Sequence, residues 1–242
     1  PDWIINAGAY TAVDRAETEP DLAHAVNALA PRAFAEALAQ TGGRLLQLST
    51  DFVFSGRQGQ PYKLDQSRDP LGVYGTTKAA GEQAIAEVLG LKQAGRAAVL
   101  RTSWVYGPVG ANFLVTMLRV HRQKSLAAEP LRVVADQVGC PTSSAGLAEA
   151  CWRLVERQLG GVMHWRDAGA ARWYDFAVAI GELAEASGIL DCPAQVQPIS
   201  SADYPTPAQR PAYSRLDCSS SRELLGLMPK HWRQALREVI AD

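Results

Sequence analysis

Tyr74 and Lys78 stand four positions apart at the start of a predicted helix, in the stretch VYGTTKAAGE. On a helix this spacing places both side chains on one face, about one turn apart. An ammonium group beside a phenol favours the phenolate. The pair therefore predicts a tyrosine whose pKa is lowered toward neutrality and which serves as a general acid. Taken alone the spacing is a weak indication, because any exposed helix can carry such a pair in solvent.

Three predicted strands end in residues that suit ligand binding. In an open parallel sheet, ligands bind at the carboxyl ends of the strands. The first strand ends in the small residues of NAGAYT, the second in Ser49, Thr50 and Asp51, and the third leads to Trp104. The alternatives are a tight turn for the first, a cap or turn for the second, and core packing for Trp104.

The elements that position these residues alternate between strand and helix patterns, which indicates an α/β protein. A helix is predicted after the first strand, and Pro31 should break or kink it. The apolar runs in RLLQLSTDFVF and AAVLRTSWVYG predict two further strands, with a helix that begins near Tyr74 between them. Helical crossovers predict parallel pairing in a doubly wound, Rossmann-type sheet. The later stretch PISSADYPTPAQRPAYSRLD should be mostly irregular and functional.

Composition limits the partners and the compartment. The 242 residues carry 24 basic and 25 acidic side chains, so net charge gives no reason to expect nucleic acid or an anionic membrane as partner. The four cysteines lie far apart and only four histidines accompany them, which argues against a zinc site or a disulfide framework and favours a reducing cytoplasm. No apolar run approaches the roughly 18 residues that a membrane span needs.

Seven segments, in order along nearly the whole chain, resemble the extended short-chain dehydrogenase/reductases, and within them the dTDP-4-dehydrorhamnose reductases. The segments are NAGAYTAVDRAETEP, LSTDFVFSG, VYGTTKAAGE, LRTSWVYG, NFLVTMLR, DQVGCPTS and RPAYSRLD. The resemblance implies a nucleotide-binding domain over residues 1–135, completed by a strand near 161–168, and a smaller α/β substrate-binding domain over 136–242. It also implies reduction of the C4 ketone of dTDP-4-dehydro-L-rhamnose to dTDP-L-rhamnose by NADPH or NADH.

By motif position, the resemblance assigns catalysis to Tyr74 as proton donor, Lys78 as ribose ligand and Thr50 as the third member of a triad. It assigns the sugar to Thr50, Asp51 and Trp104, and a nucleotide phosphate to Arg210, for which a surface ion pair is the alternative. It places the nicotinamide cofactor against Tyr74, Lys78 and the segment that follows the first strand: Ala7, Gly8, Ala9, Tyr10 and Thr11. A homodimer and a magnesium ion occur in the family, but no magnesium ligand is assigned here.

One departure from the family is that G-x-x-G-x-x-G, the turn that receives the cofactor pyrophosphate, does not occur in the sequence. The first residue corresponds to a point well inside the nucleotide-binding domain of the family. We therefore expect these 242 residues alone to bind NAD(P)H poorly and to be inactive without the preceding segment.

Two alternative functions fit the same residues. A nucleotide-sugar epimerase or dehydratase of the extended family shares the tyrosine and lysine, although a dehydratase usually needs more acid beside the active hydroxyl than Asp51 supplies. A non-catalytic nucleotide-sugar-binding regulatory subunit is the second alternative, and the presence of Thr50, Tyr74 and Lys78 argues against it.

Overall fold

The computed structural model describes residues 1–92 and 94–241. Two compact units share the chain. The first contains residues 1–102, 148–165 and 206–227, and the second contains 103–147, 166–205 and 228–242. The units are therefore interleaved in sequence, whereas the predicted domains met near residue 135, with only a strand near 161–168 returning to the first domain. Which unit binds the cofactor and which the substrate stays a prediction.

A four-stranded parallel sheet forms the centre of the first unit, in the order β1-β2-β3-β8. Its strands are β1 (Trp3–Asn6), β2 (Arg44–Thr50), β3 (Ala97–Thr102) and β8 (Gly161–His164). Every residue of β3 is buried, as expected for a central parallel strand. The α/β class and the parallel pairing of the three predicted strands are confirmed.

The helices of the first unit are α1 (Val13–Ala16), α2 (Pro20–His24), α3 (Ala30–Thr41), α4 (Val73–Leu89) and α8 (Ser219–Leu225), together with the C-terminal part of α6 (Ser144–Glu156). Between α2 and α3 lies a π-helical turn, Ala25–Leu29. Pro31 sits in the first turn of α3. Pro31 does not end the helical segment as predicted. The wider π-helical turn directly before α3 accommodates the proline, which lacks an N–H donor.

The core of this unit lies between the sheet and the paired helices α3 and α4. Its centre consists of Ala35, Leu38, Leu45, Ile85 and Ala97, all almost fully buried. A second cluster packs around Phe54, Tyr62 and Leu216, where the rings of Phe54 and Tyr62 stack 4.3 Å apart. This cluster fixes part of the RPAYSRLD segment beside the residues that follow β2.

The second unit contains helices α5 (Phe113–Leu126), α7 (Trp173–Ala186) and α9 (Trp232–Ala241) around an aromatic core. Three small two-stranded sheets accompany them, which pair β5 (Leu131–Val134) with β10 (Val196–Ile199), β4 (Val105–Tyr106) with β7 (Thr142–Ser143), and β6 (Val138–Gly139) with β9 (Ala171–Arg172). Between β10 and α8 the described chain contains no helix or strand other than a 3₁₀ turn, Ser201–Asp203. Among the helices described, none is both long and apolar enough to cross a membrane.

Candidate active site at the end of the second strand

Helix α4 begins where Gly72, in extended conformation, is followed by Val73. Gly72 has no side chain to cap the helix, and the Glu17 carboxylate instead accepts the Val73 N–H at 2.9 Å. A Cβ on Gly75 would lie 2.3 Å from the carbonyl oxygen of Phe52. Only glycine lets the first turn of α4 approach the 3₁₀ turn Asp51–Val53, and this approach places Tyr74 beside the end of β2.

Tyr74 and Thr50 meet at the carboxyl end of β2. Their side chains lie close enough for the Thr50 hydroxyl to lower the pKa of the phenol. The Thr50 Oγ1 atom also donates to Asp51 Oδ1 at 3.1 Å and accepts the Phe52 N–H at 3.1 Å, which caps the 3₁₀ turn. The rings of Tyr74 and Phe52 pack edge to face, with centroids 5.5 Å apart. This contact restricts the rotation of the Tyr74 side chain. Tyr74 is half-buried, so its ring keeps access to a ligand.

The pKa of Tyr74 is raised to about 12, chiefly because surrounding protein desolvates the phenolate. The nearby Thr50 hydroxyl lowers this pKa and the Asp51 charge raises it. The expectation that Lys78 lowers this pKa is wrong for this structure, since the ammonium group is directed to β2 instead. At neutral pH the phenol is consequently protonated, as a general acid must be before it gives up its proton.

Lys78 is buried, and its Nζ donates to the carbonyl oxygen of Leu48 at 2.7 Å. Burial lowers its pKa to about 8, and the neighbouring Glu82 carboxylate opposes this shift. The side chain therefore still carries most of its charge at pH 7. One of its three N–H donors is used by Leu48, which leaves the others for a polar ligand.

Asp51 is buried beside Thr50, and burial raises its pKa to about 6. Thr50 and Ser214 lower the pKa without offsetting this effect. The Oδ2 atom of Asp51 has no hydrogen-bond partner among the described residues. Ser214 therefore lowers the pKa of Asp51 without a close hydrogen bond to that oxygen. A buried carboxylate oxygen with no donor is costly unless a ligand supplies one, and a sugar hydroxyl group fits that need.

The segment from Ala7 to Thr11 follows β1, at the same end of the sheet as Thr50, and Gly8 donates its N–H to Asn6 Oδ1 at 3.1 Å. Sequence reasoning missed the residue that holds this segment. Buried Asn27, in the π-helical turn, accepts the Tyr10 N–H at 2.9 Å and donates to the Tyr10 carbonyl and to Thr77 Oγ1, both at 3.1 Å. An asparagine on the apolar face of AVNALA was the available signal.

Arg210 forms a two-pronged ion pair with Asp14, at 2.7 and 3.0 Å, and also donates to Thr206 and to the carbonyl of Ala208. The guanidinium group holds the pKa of Asp14 below its usual value. The ion-pair alternative is therefore present in the structure. A role in phosphate binding stays a prediction and requires Arg210 to exchange or share this partner.

Trp104 belongs to the second unit, where its indole stacks on that of Trp173 with centroids 3.6 Å apart. Its φ of 50° lies in the left-handed region, which a bulky side chain rarely adopts and which costs on the order of 1–3 kcal/mol. A Cβ on Gly139 would lie 2.6 Å from the indole. Trp173 is fixed in turn by donating its Nε1–H to Gln137. Trp104 is thus held rigidly, as a wall for a flat ligand should be.

A metal site built from protein side chains requires several donor groups close together. Across residues 1–92 and 94–241, no group of three or more histidine, cysteine, aspartate or glutamate side chains is placed to hold a metal ion. The magnesium ion that the family resemblance implies stays a prediction, and no chemical step is assigned to a metal.

Comparison with known proteins places this geometry in a family. The RmlD substrate binding domain model matches residues 1–242. A dTDP-4-dehydrorhamnose reductase of Aggregatibacter actinomycetemcomitans is 38% identical over 247 residues, which cover 100% of this chain and 81% of that protein. One from Streptomyces griseus is 41% identical over 98% of this chain and 76% of its own length.

The chain belongs to the dTDP-4-dehydrorhamnose reductase family. A crystal structure of the reductase from Clostridium acetobutylicum superposes with a TM-score of 0.90 at 34% identity, covering 99% of this chain and 80% of that one. The Bacillus anthracis reductase, solved in complex with NADP, gives 0.89 at 34% identity with the same coverage. A UDP-glucose 4-epimerase from Thermotoga maritima, at 19% identity and a TM-score of 0.77, shares the fold alone.

Membership of this family makes the chain a nicotinamide-dependent oxidoreductase. The recognition of the family from its seven segments is confirmed. The roles of the individual residues stay predictions, which the contacts around Thr50, Tyr74 and Lys78 now make specific.

Proposed function

We propose that this protein reduces the C4 ketone of dTDP-4-dehydro-L-rhamnose to dTDP-L-rhamnose, with Tyr74 as proton donor. The observation that carries the proposal is that the Tyr74 and Thr50 side chains meet at the carboxyl end of β2, beside the buried ammonium of Lys78. This is the edge of a parallel sheet at which ligands bind.

Tyr74 and Thr50 act on the carbonyl oxygen. A bound reduced nicotinamide supplies hydride to C4. As negative charge grows on the oxygen, Thr50 turns its one hydroxyl proton from Asp51 toward it and Tyr74 gives up its proton. Burial disfavours the phenolate that remains, so we expect it to take up a proton again before the next turnover. Lys78 has donors available for the ribose hydroxyls of the cofactor.

Asp51 binds the sugar in this proposal, because its unpartnered Oδ2 can accept a hydrogen bond from a sugar hydroxyl. The sugar contact that the family resemblance assigns to Trp104, in the second unit, stays a prediction. Arg210 contacts a phosphate of the nucleotide, since its planar guanidinium matches phosphate oxygens. For that contact the guanidinium must share its donors with Asp14.

The cofactor side is formed by Ala7, Gly8, Ala9, Tyr10 and Thr11. Small, largely exposed residues in this segment allow a flat ring to approach the backbone closely, and Asn27 fixes the segment from behind. The segment faces only part of a dinucleotide. We leave the choice between NADPH and NADH open in this proposal.

The test is to mix the protein with dTDP-4-dehydro-L-rhamnose and either reduced cofactor, to follow absorbance at 340 nm, and to identify the product by NMR. Where turnover occurs, one equivalent of cofactor should be oxidised for each dTDP-L-rhamnose formed, and turnover by these 242 residues alone would overturn the expectation that they are inactive by themselves. An epimerase would change the sugar with no net oxidation, and a binding subunit would bind the nucleotide sugar without converting it. Either outcome would replace the proposal.

A further inference from the structure

Glu82 is a buried carboxylate that the proposed mechanism does not use. It lies on α4, four residues after Lys78 and eight after Tyr74, so all three side chains fall within roughly 80° around the helix axis. The Glu82 side chain is 1% exposed. A buried charge must be paired and fully hydrogen-bonded to be tolerated, and its partners reveal which elements it joins.

The partners of Glu82 come from three elements of the first unit. Ser49, in β2, donates its hydroxyl to Oε1 at 2.5 Å. Arg101, in β3, donates Nε to Oε1 at 3.0 Å and a terminal nitrogen to Oε2 at 2.7 Å. Arg68, from the loop before α4, donates to Oε2 at 3.3 Å. One carboxylate thus accepts four hydrogen bonds that join α4 to two central strands and a loop.

Arg101 is itself fixed on its remaining side. Its other terminal nitrogen lies 3.4 Å from His164 Nε2, and the opposite ring nitrogen of His164 is 3.0 Å from the carbonyl of Asp217. Burial and the Arg101 charge lower the pKa of His164 to about 3, so the ring is neutral and its Nε2 accepts from Arg101. The cluster of Glu82, Arg101 and His164 is therefore a rigid, charge-balanced anchor.

The anchor contacts β2 next to the candidate catalytic residues. Lys78 donates to the carbonyl of Leu48, Glu82 accepts from the side chain of Ser49, and the Tyr74 side chain lies near that of Thr50. Three residues on one line of α4 thus contact three consecutive residues of β2. A slide or rotation of α4 that moved Tyr74 away from Thr50 would also break the buried bonds of Glu82.

We propose that Glu82, through Ser49 and Arg101, is a positioning residue that sets the register of α4 against β2 and so places Tyr74 and Lys78 for proton transfer. This inference rests on the proposed function for its kinetic readout, and on the contacts alone for its structural readout. The Glu82 charge also supports the charged form of Lys78. Misplacement by about 1 Å costs on the order of 100-fold in rate, which sets the size of the expected effect.

The first kinetic arm uses Ser49→Ala, which removes one bond to the carboxylate and leaves its pairing with Arg101 in place. We expect a protein that melts close to the parent, with kcat reduced about tenfold and KM for the nucleotide sugar within threefold. Glu87→Gln is the matched control, because Glu87 lies on the exposed side of the same helix and pairs with Arg32. Its kcat should stay within twofold of the parent.

The second arm uses Glu82→Gln and the double variant Glu82→Leu with Arg101→Met. The single variant leaves Arg101 buried without its counter-charge and should be less stable, with kcat reduced about 100-fold. The double variant replaces the ion pair by apolar groups, which restores stability in many buried pairs. We expect its kcat to stay low although its melting temperature recovers. Recovery of both together would make Glu82 a purely structural residue and overturn the inference.

Crystal structures of Ser49→Ala and of the double variant supply the readout that does not depend on activity. We expect the distance from Lys78 Nζ to the carbonyl oxygen of Leu48 to lengthen from 2.7 Å in the double variant. An unchanged distance there would contradict the inference even if the parent proved inactive on the proposed substrate. An inactive parent with a lengthened contact would instead count against the proposed function alone.

Discussion

Asp51→Asn should stabilise the protein at neutral pH while it weakens the site. In the folded chain the Asp51 carboxyl has a pKa of about 6, against 3.8 for the unperturbed group, because burial disfavours its charge. Asparagine has nearly the same shape and keeps an oxygen for the Thr50 bond, but it carries no charge into the buried position. The substitution therefore removes the desolvation penalty of one carboxylate.

The difference between the two pKa values lowers the free energy of unfolding of the parent by about 3 kcal/mol at pH values where Asp51 is ionised in both the folded and the unfolded chain. Between pH 3.8 and about 6 the native parent holds more protons than the unfolded chain, so its stability falls as pH rises through this window. The unpaired Nδ2 of asparagine reduces the gain. We expect Asp51→Asn to exceed the parent by about 2 kcal/mol above pH 7 and to fall about 1 kcal/mol below it under pH 4, because the pH-dependent difference is about 3 kcal/mol in all.

Urea unfolding followed by circular dichroism at pH 4, 5, 6 and 7.5 measures this difference. Asp65→Asn, at an exposed aspartate, is the matched control and should change stability by no more than about 0.5 kcal/mol. Equal or lower stability of Asp51→Asn at pH 7.5, or a difference that does not shrink as pH falls, would refute the assignment of Asp51 as a destabilising buried charge kept for ligand binding.

Three further results are expected. The value of kcat should fall as pH rises through about 8, where Lys78 loses its charge. Lys78→Arg should move this fall in the pH–rate profile to higher pH. A fall that does not move would exclude Lys78 as its origin. Asn27→Ala should raise KM for the cofactor about tenfold with kcat little changed. The reason is that the segment around Tyr10 loses both hydrogen bonds to Asn27. An unchanged KM for the cofactor would show that this segment does not bind it. Arg210→Ala should raise KM for the nucleotide sugar more than Asp14→Ala does, whereas equal effects would mean that the ion pair is the whole role of Arg210.

The strand ends and the helix that carries Tyr74 could be predicted from local patterns. The runs that became β1, β2 and β3 are short and apolar between helix patterns, and parallel pairing follows from their helical crossovers. The start of α4 near Tyr74 was also predictable. Its actual cap, the Glu17 carboxylate, comes from more than fifty residues away, so no local pattern could reveal it.

The electrostatics of the site could not be predicted from spacing. The four-residue interval between Tyr74 and Lys78 gives the shared helix face but not the depth of burial, and burial decides the direction of the pKa of Tyr74. The interval also does not predict that the Leu48 carbonyl accepts a hydrogen bond from the Lys78 ammonium. Likewise, the sequence gives no sign that Glu82 is buried, because its ion-pair partner Arg101 lies on a different element.

Tyr74→Phe tests the central claim most directly, because it removes only the proton donor and leaves the ring, its contact with Phe52 and the rest of the site in place. The measurement is turnover of dTDP-4-dehydro-L-rhamnose at saturating cofactor, with nucleotide-sugar affinity determined by calorimetry on the same sample. We expect kcat to fall at least about 100-fold while affinity stays within threefold. Turnover within a few-fold of the parent would contradict the assignment of Tyr74 as the acid.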